Sequence, residues 1–231
     1  SDVFGSPCRG TYYEPFTGGA AVFLHRHENE QLQVFPSVLN DLSRDVAGLY
    51  TALQKVPDAV YDEANSFLTQ YERGAVTFKD LRNVFNARRR ETQLGYPALF
   101  LVLNHIGFNG LHRENKDGDW NVPEGAYAKV WRPDYDNFLQ VAHALSDALI
   151  VRSDFRAIMP AAMEGDDVYC DPPYLPMTVT SNFTAYSGEF GAAEHRALDE
   201  LGRSAAQRGA RVLLSGSDCA FTRLIYSKWA V

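Results

Sequence analysis

Apolar residues along this chain follow two rhythms, and the change from one to the other divides it. Short apolar runs broken by turn residues come first: residues 11–16 read as a strand, Thr17-Gly18-Gly19-Ala20-Ala21 as a tight turn, and 22–24 as the opening of a helix. A second run at 32–39 reads as a strand ending in polar Asn40-Asp41, after which Val46, Leu49, Tyr50 and Leu53 recur at helical spacing. Two strand-helix units in succession predict an open α/β sheet. From Gln54 to about Pro133 the rhythm turns helical: one helix over 59–71, a second whose buried stripe is Phe78, Leu81, Val84 and Phe85, and a third over 98–106. Phe108-Asn109-Gly110-Leu111 and Lys116-Asp117-Gly118-Asp119 are turn signals, and the alternation between them suits a small hairpin. Short runs then resume, with a helix over 134–145, buried strands at 148–151 and 167–170, a helix over 192–207 ended by Gly209, and a strand at 211–214. The expected layout is an α/β domain in two parts, 1–53 and 134–231, interrupted by a mainly helical insertion at 54–133.

Composition narrows the class. The 231 residues are those of a globular chain, with no apolar run near the roughly 20 residues of a membrane span and no secretory pattern at the start, so a cytoplasmic location is expected. Three widely spaced cysteines, Cys8, Cys170 and Cys219, argue against a disulfide framework and against a zinc site, and no metal is expected. The net charge of -7 opposes long-range attraction to phosphate. Its distribution matters more, since Lys79, Arg82, Arg88, Arg89, Arg90, Arg113 and Lys116 all fall within the insertion and leave room for a local basic surface.

The chemistry gathers where strands end. Asp171-Pro172-Pro173-Tyr174 follows the apolar run 167–170, and a strand interior accepts neither paired prolines nor a lone acid. The strand therefore stops at Asp171, the stiff turn aims the Pro172 carbonyl, and Tyr174 offers a flat face. Acceptors beside a stacking surface suit a planar amine such as a nucleobase. Other predicted strands end near Glu14-Pro15-Phe16, Asp41 and Asp154-Phe155, and in open α/β sheets ligands bind beyond such ends. Gly18 and Gly19 would admit a ligand close to the backbone, or serve only a tight turn. Asp41 would take ribose hydroxyls, or cap a helix; Asp154 would likewise cap a turn.

Five separated segments then agree in order and spacing with a known family: Tyr13-Glu14-Pro15-Phe16-Thr17-Gly18-Gly19, Phe108-Asn109-Gly110-Leu111-His112-Arg113, Asn121-Val122-Pro123, Asp171-Pro172-Pro173-Tyr174 and Asn182-Phe183-Thr184-Ala185-Tyr186. Over nearly its whole length the chain resembles the Dam-type DNA adenine methyltransferases. The resemblance implies a Rossmann-like S-adenosylmethionine-dependent methyltransferase sheet carrying an inserted target-recognition domain. It implies methyl transfer to the exocyclic amine of a flipped-out adenine in double-stranded DNA, with GATC the target of the most similar members. Asp171, Pro172 and Tyr174 would be the catalytic set, Phe183 and Tyr186 would wall the base pocket, and Glu14, Phe16, Gly18, Asp41, Asp154 and Phe155 would hold S-adenosylmethionine. In the insertion Phe108 would wedge between bases, with Asn109 beside it. Arg113 would read a guanine, Leu111 and Pro123 a thymine methyl, and Arg88 and Arg89 would follow phosphates, unless they form only a solvated helix face. Such a protein would be bacterial or phage-encoded, and monomeric or weakly dimeric on DNA.

The family's lysine- and glycine-rich opening and its closing hairpin are not found between Ser1 and Val231, so a fragment is expected. Lys228-Trp229-Ala230 reads as a helix end. A catalytically silent DNA-binding relative, or a methyltransferase acting on another planar amine in cytosine or RNA, stays open at this point.

Overall fold

The structure, a computed structural model, describes residues 3–29, 36–88, 96–174 and 190–229. Its contacts divide the chain into two compact units, Ser1–Leu42 with Asp147–Val231, and Ser43–Ser146.

The first unit is built on strands β1 (Tyr12–Glu14), β2 (Ser37–Asn40), β3 (Ala148–Val151), β4 (Asp167–Cys170) and β5 (Arg211–Leu214), all parallel, in the order β3-β2-β1-β4-β5. The chain runs outward from β1 to β3 and then returns to β4 on the other side of β1. Between β1 and β4 the strand order therefore reverses, which opens a crevice at their carboxyl ends. Of the run expected at 32–39, residues 32–35 lie outside the described residues, and the strand begins at Ser37.

Helices cover the sheet because β1 alternates between two buried faces. Tyr13 joins Val168, Phe155, Met159 and Leu198, side chains of helices α7 (Phe155–Ile158) and α8 (Ala192–Gln207) among them. Tyr12 stacks on Phe23 of α1 (Ala21–Glu28), with ring centroids 6.4 Å apart. The same face holds an ion pair that alternation could not reveal: Arg26 of α1 reaches Asp167 of β4 at 2.8 Å with both side chains fully buried, and Arg211 of β5 closes on Asp167 at 2.6 Å. The last helix, α9 (Ala220–Ile225), ends before Lys228-Trp229 rather than at it. Trp229 lies beyond the helix, donates to Asp199 at 2.8 Å, and packs where a Cβ on Gly202 would come within 2.7 Å of its ring.

The second unit is helical. Its elements are α2 (Arg44–Lys55), α3 (Pro57–Glu72), α4 (Phe78–Arg88), α5 (Pro97–Ile106) and α6 (Tyr135–Leu145). Prolines open α3 and α5 at their first turn, where no backbone donor is needed, and Ser43 and Asp134 cap α2 and α6. Thr77 and Asp80 bond reciprocally to each other's backbone N–H at the start of α4. The central helix is α5, apolar on nearly every side and packed by α2, α3 and α4.

The contacts group Ser43–Ser146 as one compact unit, wider than the insertion expected at 54–133, because α2 and α6 pack on each other and on α5 and α3 respectively. The expected stripe of α4 is corrected. In α4, Phe78, Leu81 and Phe85 are buried, whereas Val84 is 41% exposed, since the stripe follows the 3–4 spacing and Val84 sits beside it.

Candidate active site and nucleic-acid interface

At the carboxyl end of β1 the chain turns on Thr17, whose hydroxyl and N–H both bond the Asn40 carbonyl, at 3.0 and 2.9 Å. Asn40 extends the clamp sideways: its amide donates to the Pro15 and Ser153 carbonyls at 2.8 and 3.0 Å and accepts from Ser153 N–H at 2.9 Å. One buried side chain thus fixes the loops after β1, β2 and β3. Asp41 accepts the Gly18 N–H at 2.9 Å. Helix α2 is capped by Ser43, so Asp41 braces the turn and the alternative of a helix cap is set aside. Gly18 holds φ +47°, which favours glycine, and a Cβ on Gly18 or Gly19 would meet nothing within 4 Å. The backbone there faces open space.

Beside this turn, Phe16, Phe155 and Phe190 form a triangle with centroids 5.2–5.7 Å apart. Phe155 is buried at 4% exposure, so it supports that wall from within the core. Asp154 caps α7 by accepting Arg156 N–H at 2.8 Å and pairs with the Arg156 guanidinium at 2.9 Å. Its capping role is the one the geometry displays.

Glu14 is 2% exposed and accepts from the Tyr12 hydroxyl at 3.2 Å. Burial pushes its carboxyl from the usual 4.5 up to about 8; Tyr12 and the Phe23 backbone N–H pull it back, and Asp171 across the crevice adds to the rise. The folded chain therefore keeps a proton on Glu14 that the unfolded chain has lost, between about pH 4.5 and about 8. More protons on the native state mean stability falls as pH rises through this window. Glu14→Gln is expected to flatten that fall, checked by urea midpoints at pH 5 and pH 8.

Asp171 is exposed at the end of β4, and Pro172 behind it is buried. The Ser215 hydroxyl, just past β5, donates to Asp171 at 2.5 Å, while Ser215 N–H bonds the Cys170 carbonyl at 2.9 Å. Asp171 is thereby held from the neighbouring strand. Tyr174 is 51% exposed, and its phenol interacts with both Ser215 and Asp171. Behind the loop, His195 Nδ1 and the Tyr226 hydroxyl share a hydrogen bond at 2.8 Å, and the imidazole meets Phe190 edge-on at 4.9 Å.

In the second unit, α5 ends at Gly107, where a Cβ would fall 2.5 Å from the Leu103 carbonyl and 3.2 Å from the Trp120 ring. A single 3₁₀ turn, Phe108–Gly110, follows, with Asn109 left-handed at φ 54°. The expected hairpin is reduced to isolated antiparallel bridges, Gly107 to Glu124 and Glu114 to Trp120. Trp120 and Val122 are buried, and Asn86 of α4 fastens both Trp120 backbone groups at 2.9 and 3.0 Å. From this anchored base Phe108 and Leu111 stand out at 47% and 40% exposure, and Phe108 N–H meets the Pro123 carbonyl at 2.9 Å. Phe108 is thus not a core residue of the loop. Arg113 donates to the Asn121 side chain at 2.8 Å and to its carbonyl at 3.0 Å. Arg88 lies over the Tyr96 ring at 5.3 Å.

A family model described as D12 class N6 adenine-specific DNA methyltransferase matches residues 6–231, nearly the whole chain. The chain belongs to that family. Similar proteins include a DNA adenine methylase of Vibrio cholerae, 32% identical over 92% of this chain and 74% of that protein, and one of Haemophilus influenzae, 34% identical over 93% and 73%. A DNA N-6-adenine-methyltransferase of Escherichia phage P1 is 37% identical over 92% of this chain and 27% of its own length.

Within this D12 methyltransferase the structure brings Glu14, Phe16, Gly18 and Asp41 together around one turn, and Asp171, Pro172 and Tyr174 around the next strand end. Phe108, Asn109, Leu111, Arg113 and Pro123 share one loop. Arg89, Phe183 and Tyr186 lie outside the described residues. Ser215, Asn40 and Asn121 carry roles that sequence reading does not assign; for Ser215 and Asn40 the available signal is a polar residue just after an apolar run. Asp45, His112 and Glu114 bring donor atoms within 4.8 Å of one another and could hold a metal ion, with the Asp45–His112 contact at 3.3 Å. Cys8, Cys170 and Cys219 are all free thiols. Among the described residues, no helix is long and apolar enough to cross a membrane.

Proposed function

We propose that this methyltransferase moves the methyl group of S-adenosylmethionine to the N6 amine of an adenine flipped out of duplex DNA, within GATC. The observation that carries the reading is the placement of Asp171: exposed, oriented by Ser215, and separated only by the β1/β4 crevice from an open glycine turn.

The residues around that turn fit the donor. Gly18 and Gly19 leave space at the backbone, Phe16 offers an apolar ring, and Asp41 carries the acceptor that ribose hydroxyls would meet beside Gly18. When bound, S-adenosylmethionine supplies a sulfonium methyl whose carbon–sulfur bond breaks as the carbon–nitrogen bond forms.

The adenine amine is a weak nucleophile because its lone pair is delocalised into the ring. Two acceptors aimed at its N–H bonds localise that pair, and Asp171 and the Pro172 carbonyl supply them. Ser215 fixes the carboxylate from the neighbouring strand, so the amine meets an acceptor of set geometry. Tyr174 lies beside this acceptor and supplies the stacking face, with Phe183 and Tyr186 as further walls. The proton released after transfer passes to the carboxylate and then to water.

Target reading falls to the second unit. Exposed Phe108 serves as the wedge, Asn109 sets the turn that presents it, Leu111 and Pro123 offer apolar surface to a thymine methyl, and Arg113 meets a guanine. Arg88 is the described candidate for a phosphate contact. The test is labelled methyl transfer to a GATC duplex and to each of its single-base variants. Transfer preferring GATC by at least about tenfold per changed pair is expected. Equal transfer to all duplexes would remove the GATC assignment, and none to any would point to a silent DNA-binding relative.

A further inference from the structure

We infer that Asn121 is a positioning residue for target reading, fixing Arg113 so that only the outer fork of its guanidinium faces DNA. The inference rests on the reading of Arg113 as the guanine contact.

A guanidinium presents two donor forks, one formed by Nε and Nη2 and one by Nη1 and Nη2. In this chain the inner fork is already filled: Nε donates to the Asn121 side-chain oxygen at 2.8 Å and Nη2 to the Asn121 carbonyl at 3.0 Å. The Asn121 N–H returns to the Arg113 carbonyl at 3.0 Å, so the pair is closed by backbone as well. Asn121 itself cannot drift, because buried Trp120 and Val122 flank it and Asn86 fastens Trp120. The fork left for a ligand is the outer one, held at one height and one angle before DNA arrives.

The chemistry of the clamp is as telling as its geometry. Arg132, Arg203 and Arg223 are each held by a carboxylate, Glu72, Asp199 and Asp218. A carboxylate orients an arginine but cancels its charge. Asn121 is neutral, so it orients Arg113 and leaves the full positive charge for O6 and N7 of a guanine. A flexible arginine would find those atoms too, but would settle as readily on a phosphate. Asn121 therefore contributes to discrimination between bases more than to affinity for DNA.

The experiment compares Asn121→Ala, Asn121→Asp and Arg113→Ala in the full chain. It measures kcat/KM on the GATC duplex and its single-base variants, affinity for a duplex without GATC, and thermal midpoints. Asn121→Ala is expected to lose roughly tenfold in discrimination at a single base pair, the one where Arg113→Ala loses its preference, with affinity for the other duplex unchanged. Asn121→Asp keeps the orientation and the preference, and weakens binding to every duplex because it adds a negative charge. Should Asn121→Ala fail to fold, the Asn121→Asp pattern decides alone: loss of the preference overturns the inference. Full discrimination in Asn121→Ala at a pair where Arg113→Ala has lost it overturns the inference and leaves the Arg113 reading standing, as does an equal loss on all duplexes. Unchanged discrimination in Arg113→Ala overturns the reading itself.

Discussion

Asp171→Ala is expected to abolish methyl transfer while leaving S-adenosylmethionine affinity within a few-fold. In the proposed function the side chain meets the acceptor amine, and the groups assigned to the donor, Phe16, Gly18 and Asp41, lie around the neighbouring turn after β1. Removing a fixed acceptor from a site that stabilises developing charge costs about 10²–10³ in rate, and here the only remaining acceptor would be the Pro172 carbonyl. The Ser215 hydroxyl would lose its 2.5 Å partner and fall back on the Cys170 carbonyl at 3.3 Å. Single-turnover rates beside donor binding by calorimetry separate the two effects. A variant with near-normal turnover would refute the role of Asp171, and one that loses donor binding equally would recast it as structural.

The second large effect concerns stability. Asp167→Ala is expected to cost about 3–5 kcal/mol, because it removes a fully buried carboxylate that Arg26, itself fully buried, reaches at 2.8 Å. That is a large share of the roughly 5–15 kcal/mol that holds a domain together. Arg26→Met should cost less, since Asp167 would keep Arg211 at 2.6 Å. Urea unfolding at constant m-value measures both. A loss below about 1 kcal/mol for Asp167→Ala would show that the pair is not the anchor between α1 and the sheet that its burial implies.

Much of the sheet was legible because its strands are short apolar runs that end at polar residues, as at Cys170-Asp171 and Leu39-Asn40. Helix α5 was legible for the related reason that it is apolar on nearly all sides. The Arg26–Asp167 pair was not, because an arginine within a short helix reads as a solvent-facing residue, and only the strand order brings Asp167 beneath it. Strand order likewise concealed Ser215. It lies 44 positions from Asp171 in sequence and one strand away in space. The full extent of the compact unit was hidden for another reason: α2 looks like the second half of a strand-helix repeat, yet it packs on α5 and α6. Asn121 stands out in sequence only within Asn121-Val122-Pro123, and its hold on Arg113 depends on a loop that returns alongside itself, a property of register that composition does not encode.

In the proposed function, a carboxylate fixed by a serine from the adjacent strand prepares an adenine amine for methylation. Digesting a GATC duplex to nucleosides after incubation with methyl-labelled S-adenosylmethionine, and identifying the labelled base, tests this step. Label is expected in N6-methyladenine from the wild-type chain and nowhere from Asp171→Ala. Label in cytosine, or undiminished label from Asp171→Ala, would contradict it.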